Sequence, residues 1–311
     1  MISRGFGGIS DISIDNRIDL YPLTEGGSVY PIDEKDSIFI FNNNCVVKLG
    51  LKPPALNSYH GRPAFDDWVS YVIHAGICLL NTSKKYLNAK IGIGLKDYYQ
   101  NYHDFSSIIP IRKVRFLYNG RMGSKSISIR GLQIFPNLFG QANWISNRYG
   151  INRFVVLSFG MDCLEGLYFE QGKPFLSQRY VLGPGFSELV RIQNTEPFFE
   201  TNNLSAKLTE SKVKMEIEHE EFYNQFLKKK IEFICRSASS IPVFYIKTSE
   251  VSQEFHGFLY RKLGGFGKVT SIADGANASA HGLASIKMFR KSNLSEEVSI
   301  SVFPDHTTFV L

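Results

Sequence analysis

Residues 155–174, VVLSFGMDCLEGLYFEQGKP, hold the side chains best placed to do chemistry. Two apolar runs flank Gly160-Met161-Asp162, and the second run ends in the turn signal Glu170-Gln171-Gly172-Lys173-Pro174. The pattern predicts two β-strands joined by a very tight bend, then a second hairpin turn. A glycine at such a bend lets backbone N–H groups approach an anion closely. Ser158 stands just before the bend, where a phosphate- or metal-handling loop would carry an acid. The residues alone leave two readings open: a phosphate loop without its carboxylate, or an ordinary hairpin.

Other candidates read more plainly. GGFGK at 264–268 has a phosphate-loop composition but lacks the spacing and the Ser/Thr after Lys268, so it is expected to be the loop that ends a helix. His74 lies on an apolar helical face and reads as a core histidine. His103, His219, His256 and His281 share no ligand spacing, and no G-x-S-x-G elbow marks a nucleophile. Cys45, Cys78, Cys163 and Cys235 are scattered, which argues against zinc and disulfides and suits a reducing cytoplasm. No metal ligands and no catalytic side chain can be named.

Positioning such residues takes a large chain. At 311 residues and 43% apolar content there is enough material for two domains with real cores. No run of about 18 apolar residues predicts a membrane span, and no basic-then-apolar N-terminal pattern predicts a secretory signal. The formal net charge of +6 reads as mild and spread out. The one basic triplet, 228–230, falls on an expected helix as a solvated face, so neither nucleic acid nor membrane is expected as a direct partner.

Along the chain, residues 2–13 read as a glycine-interrupted hairpin. Strands are expected at 37–41 and 45–51, and at 90–95. VRFLYNG (114–120) and SISIRGLQIF (126–135) are expected to pair around Asn119-Gly120. Helices are expected over 65–80, from 187, over 210–237, over 252–263 and over 276–289; 241–246 is a short buried strand. In 210–237 the acids come first and the lysines last, matching the macrodipole. A glycine-bend hairpin followed by helices occurs near residue 2 and again near 154, which suggests two similar halves facing a cleft.

This order resembles the actin-like ATPases, most closely the bacterial ParM/StbA plasmid-segregation family. HAGICLL followed by AKIGIGLKDYY is similar to that family's helix-then-strand passage. The 114–142 stretch resembles its hairpin and following loop, 155–174 its second phosphate hairpin, and SQRYVLGPGFSELV the glycine segment after it. IADGANASAHGLASI resembles the helix near the end of these proteins. The resemblance implies an α/β, actin-like (ribonuclease H-like) fold with a nucleotide-type cleft between similar halves. The expected domains are 1–150 and 151–290, with helix 276–289 free to pack back on the first and 291–311 as a C-terminal tail.

It also implies ATP or GTP with magnesium, self-assembly head to tail into filaments, and a small DNA-binding adaptor as partner in plasmid segregation. The nucleotide-binding positions carried over are Ser3, Gly5, Gly7, Ser158, Gly160, Asp162, Gly183, Gly185, Lys247 and Thr248. This chain departs from the family in one direction. Ser3 and Ser158 stand where the two hairpins carry acids, and Asn137 stands where a loop Glu would be. Lys247-Thr248-Ser249 replaces the glycine triplet on the adenosine side. Asp162 and Glu165 are the nearby carboxylates that could substitute. Weak or absent ATPase is therefore expected, with a catalytically inactive pseudo-ATPase acting as scaffold or regulatory partner, with or without bound nucleotide, as the alternative. A sugar- or acyl-kinase-like enzyme would need a catalytic Asp, and none is well placed.

Overall fold

The computed structural model describes residues 11–15, 18–22, 37–41, 45–51, 65–80, 82, 86–94, 98, 112–160, 162–171, 173–193, 212–237, 241–248, 251–287, 295–302 and 306–311. Ser3, Gly5 and Gly7, and with them most of the expected 2–13 hairpin, lie outside the described residues.

The strands are β1 (Asp11–Asp15), β2 (Ile18–Pro22), β3 (Ser37–Phe41), β4 (Cys45–Gly50), β5 (Tyr86–Ile93), β6 (Arg112–Tyr118), β7 (Arg121–Ile127), β8 (Ile129–Pro136), β9 (Arg153–Phe159), β10 (Cys163–Glu170), β11 (Lys173–Pro184), β12 (Val243–Lys247), β13 (Val269–Ile272), β14 (Ser295–Val302) and β15 (His306–Val310). The helices are α1 (Phe65–Leu79), α2 (Asn137–Tyr149), α3 (Phe186–Gln193), α4 (Lys212–Phe222), α5 (Lys228–Ser237), α6 (Gln253–Gly264) and α7 (Gly275–Ala284), with a π-helical turn at Tyr223–Leu227 joining α4 to α5.

They build three five-stranded sheets: β1-β15-β14-β5-β8, β2-β4-β3-β6-β7 and β11-β10-β9-β12-β13. In the third sheet β9 lies at the centre. β10 and β11 run outward from it antiparallel on one side, and β12 and β13 run parallel on the other. The first sheet repeats this plan strand for strand. β14 takes the centre, β15 and β1 are the antiparallel pair, and β5 and β8 are the parallel pair. Read as β14, β15, β1, β5, β8, its order is that of the third sheet rotated by two strands along the chain.

Within 291–311, expected to be a tail, β14 and β15 thus supply the middle of a sheet. Their pattern explains why. Val298, Ile300 and Val302 are all buried, Phe309 is fully buried, and its ring lies where a side chain on Gly76 of α1 would have to go. Lys90 on β5 is fully buried and reaches Glu297 at 2.9 Å and the Ala284 carbonyl at 3.2 Å, tying β14 to the C-terminal end of α7, where a cation is favoured.

Two hydrophobic cores follow from two sets of sheets. One gathers α1, the first sheet and the second sheet; the other gathers the third sheet with α2 to α6. Lys125 of β7 donates to the Ile77 and Leu80 carbonyls, both at 2.8 Å, and so caps α1 from the second sheet. The expected pairing around Asn119-Gly120 forms between β6 and β7, with both turn residues at positive φ, as a two-residue hairpin requires. SISIRGLQIF is not one strand, however. It breaks at Ser128, and β8 leaves for the first sheet beside β5. Helix 276–289 ends earlier than expected, at Ala284, where the Ser285 hydroxyl donates back to the Gly282 carbonyl at 2.6 Å.

The two halves meet where α7 crosses α2. A side chain on Gly282 would fall inside the Gly140 carbonyl, and one on Gly140 inside the Ser279 carbonyl. Only glycine lets the helices lie this close. α7 also packs on β14, β15 and β5.

Candidate functional site

In an open α/β sheet, ligands bind beyond the carboxyl ends of the strands, where strand order reverses. In the third sheet that point lies between β9 and β12, at Ser158, Phe159 and Lys247. In the first sheet it lies between β14 and β5, at Ser301, Val302 and residues 92–94. Ser158 and Ser301 are therefore structural counterparts. In the first sheet hairpin β14–β15 stands where β9–β10 stands in the third; the expected 2–13 hairpin lies mostly outside the described residues. A sequence signal was present: Val155-Val156-Leu157-Ser158 is echoed by Val298-Ser299-Ile300-Ser301.

The bend after β9 is closed by its own backbone. Gly160 N–H donates to the Cys163 carbonyl at 3.1 Å, Gly185 N–H to the Asp162 carbonyl at 3.0 Å, and Phe186 N–H to the Gly160 carbonyl at 3.0 Å. Gly160 and Gly185 thus belong to one turn. Gly183 is buried on β11, where a side chain would meet Leu227 at 2.9 Å. Asp162 is exposed. Glu165, directly across from Ser158, is buried and accepts from the Cys163 thiol at 3.5 Å.

Ser158 and Lys247 are not brought together as one cluster. Ile246, not Lys247, is the register partner of Ser158, so Lys247 lies on the other face, the face of Phe159. Thr248 is buried, and its hydroxyl donates to the Phe159 carbonyl at 2.9 Å. Its backbone is held by His256, whose Nε2 lies 2.9 Å from the Thr248 carbonyl and whose Nδ1 lies 2.6 Å from the Tyr245 hydroxyl. With Tyr245 donating to Nδ1 and Nε2–H donating to Thr248, both bonds are made by a neutral ring. Burial pushes His256 down to about 4, with Lys247 lowering it further against the backbone bond, and it holds Tyr245 well above its usual range. The wall on this side is a fixed, neutral structure.

The first half is tied up in the same way. Asn137, the first residue of α2, donates through Nδ2 to the Val302 carbonyl at 2.8 Å. Its Oδ1 accepts from Ser301 at 2.8 Å and from Ser279 of α7 at 3.1 Å, and all three side chains are buried. One carboxamide therefore joins β14, α2 and α7. Ser301 and Ser279 were not singled out from the sequence, because nothing local marks them as neighbours of Asn137.

Ser158, Ser301 and Asn137 themselves offer magnesium no carboxylate. Both strand-end positions are neutral hydroxyls, Asn137 has no spare side-chain acceptor for a metal-bound water, and no group of three or more His, Cys, Asp or Glu could hold a metal among the described residues. A carboxamide engaged this way has no side-chain group left to orient an attacking water.

No protein-family model and no curated protein sequence matches the chain. Solved structures do. The apo psk41 parM protein superposes with a TM-score of 0.54 at 13% identity, over 87% of each chain. The Alp12 filament structure gives 0.53 at 14% identity, over 85% of this chain and 86% of that one. An archaeal actin homologue, Ta0583, gives 0.54 at 12% identity, over 88% and 97%. With two like-built sheets, helices crossing between two cores, and these neighbours, the chain has the actin-like, ParM-type two-domain fold.

Proposed function

We propose that the protein is an actin-like filament protein of plasmid DNA segregation whose assembly is not timed by ATP hydrolysis. The carrying observation is the pair Ser158 and Ser301 at the two strand-end switch points, with Asn137 fully engaged beside them. Hydrolysis-timed polymers use the γ-phosphate and its metal to hold contacts that are lost on cleavage. Neutral hydroxyls supply no charge for the metal, and losing one such electrostatic partner costs about 10²–10³ in rate. Self-association is supported by the neighbours, two of which are filament structures: Alp12, and a 15-stranded ParM filament from Clostridium botulinum at 11% identity and a TM-score of 0.51. A heterologous head-to-tail contact of one subunit on the next produces such an open polymer.

In this reading residues 1–150 and 151–290 are the two domains, with α7 packed back on the first beside β14 and β15 and α2 lending its buried face to the second. ATP or GTP, where bound, lies between them beside Gly160, Asp162 and Lys247, and Thr248 narrows the adenosine side. A small DNA-binding adaptor links polymer to cargo. The protein works in the cytoplasm, where the buried thiols Cys78, Cys163 and Cys235 stay reduced; among the described residues no helix is long and apolar enough to cross a membrane. The Asn137 network equally favours a pseudo-ATPase scaffold for another filament protein, and assembly separates the two.

The test is sedimentation and light scattering of the purified protein. Polymer should pellet with or without ATP and magnesium, with turnover well below about 1 s⁻¹. Polymer that rises with ATP and then collapses, but persists with a non-hydrolysable analogue, would refute the proposal. A protein that never pellets alone is the scaffold.

A further inference from the structure

The net charge of the chain is not spread out. Residues 112–130 carry six Lys or Arg and no acid, as much as the whole chain's +6, and no Asp or Glu occurs anywhere from 105 to 161. The structure folds most of that charge into one hairpin, β6–β7, at the edge of the second sheet. Two of the six are used internally: Lys125 caps α1, and Arg130 lies 3.3 Å over the Tyr86 ring. Lys113, Arg115 and Arg121 are exposed, and among the described residues no carboxylate pairs with them. Beside them Met122 is 54% exposed.

Lys113 and Arg115 share one face, because strand side chains alternate, with Ser126 and Ser124 opposite them on β7. Residues two apart on a strand stand about 6.7 Å apart. Successive phosphates on one duplex strand, separated by about 3.4 Å of axial rise and further by the helical turn, offer a comparable spacing. A two-stranded ribbon is also the width that a major groove admits. The face that carries Lys113 and Arg115 has no aromatic residue on which single-stranded bases could stack, its other members being Leu117, Met122, Ser124 and Ser126. We propose that the β6–β7 hairpin binds the phosphate backbone of duplex DNA directly and without sequence preference, through Lys113 and Arg115 on one face and through Arg121 beside the turn, which pairs with Tyr118 on the other face. A polymer of this protein would then touch its cargo itself, apart from any adaptor. The contact does not depend on the nucleotide reading, since the hairpin lies in a different sheet from Ser158 and Ser301.

The experiment is fluorescence anisotropy of a labelled 30-base-pair duplex of random sequence, using the full chain at 50 and 200 mM salt. Three phosphate contacts give a slope of about −2.7 in log–log form, so affinity should fall roughly 40-fold between the two salts. The variant with Lys113→Ala, Arg115→Ala and Arg121→Ala should lose most binding at 50 mM salt. The control with Lys228→Ala, Lys229→Ala and Lys230→Ala, on the exposed face of α5, should bind as the unaltered protein does. Both variants change exposed side chains, and matching melting curves check their folding. No binding at 50 mM, equal losses in the two variants, or poly-glutamate displacing the duplex at equal charge concentration would each overturn the proposal.

Discussion

Replacing Asn137 by alanine tests the joint on which the two halves depend. The carboxamide makes three buried hydrogen bonds, to the Val302 carbonyl and from Ser301 and Ser279. Ser279 keeps one acceptor after truncation, since its hydroxyl also reaches the Asn137 backbone carbonyl at 3.2 Å. The Val302 carbonyl and the Ser301 hydroxyl lose this partner. A buried polar group left unsatisfied costs about 1–3 kcal/mol, so the two together cost roughly 2–6 kcal/mol. For a chain of this size that lowers the melting midpoint by about 5–10 °C. Asn137→Asp sharpens the test. A carboxylate keeps its acceptors for the two hydroxyls but turns a bare oxygen on the Val302 carbonyl, whereas a protonated acid donates there as the amide did. Burial and this bond raise its folded-state pKa above the unfolded value near 3.9. The unfolded chain then ionises first as pH rises, so the Asp variant should lie nearest the parent at pH 4, close to the unfolded value, and fall away from it toward pH 7.5. Circular-dichroism melts of parent, Ala and Asp forms at the two pH values provide the readout. A midpoint of the Ala form within about 1 °C of the parent would refute the reasoning, as would an Asp form whose gap from the parent ignores pH.

Two further outcomes follow from buried groups and close packing. His219 and His256 are each pushed by burial from 6.5 to about 4, so their neutral forms favour the fold; this stability is present above pH 6.5 and is lost as pH falls toward 4, by up to about 3 kcal/mol each. Melting midpoints should therefore drop between pH 7 and pH 4.5, and a flat profile would remove these two residues from the account. Gly282→Ala places a methyl inside the Gly140 backbone and should destabilise the fold by about 1–3 kcal/mol or abolish soluble expression. Gly264→Ala, with nothing within 4 Å, should be neutral or stabilising by up to about 1 kcal/mol, and equal melting of the two variants would show that the α2–α7 contact is looser than described.

Local chemistry in the sequence determined a good deal. The alternation in VVLSF and CLEGLYF and the glycine between them are enough to make β9–β10, because a strand's period is local and a tight bend needs few residues. Asn119-Gly120 fixes the β6–β7 turn for the same reason. Helix α1 is legible in the spacing of its apolar residues, and α6 in Ser252, whose hydroxyl caps Phe255 N–H at 3.2 Å. GGFGK is the loop after a helix, as its spacing indicates, with Phe266 N–H closing on the Leu263 carbonyl.

What the sequence does not determine is which strands share a sheet. SEEVSISV and HTTFV alternate as plainly as any strand, yet nothing in them says that they sit between β1 and β5. That choice is made by long-range burial: Phe309 against Gly76, and Lys90 bridging to Glu297 and α7. Placing β14 and β15 there makes Ser301, 143 positions away, the strand-end counterpart of Ser158. The same holds for charge. A count over the whole chain suggests a dilute surplus, while the pairing of β6 with β7 puts it on one ribbon, because side chains two residues apart share a face only once the strand exists.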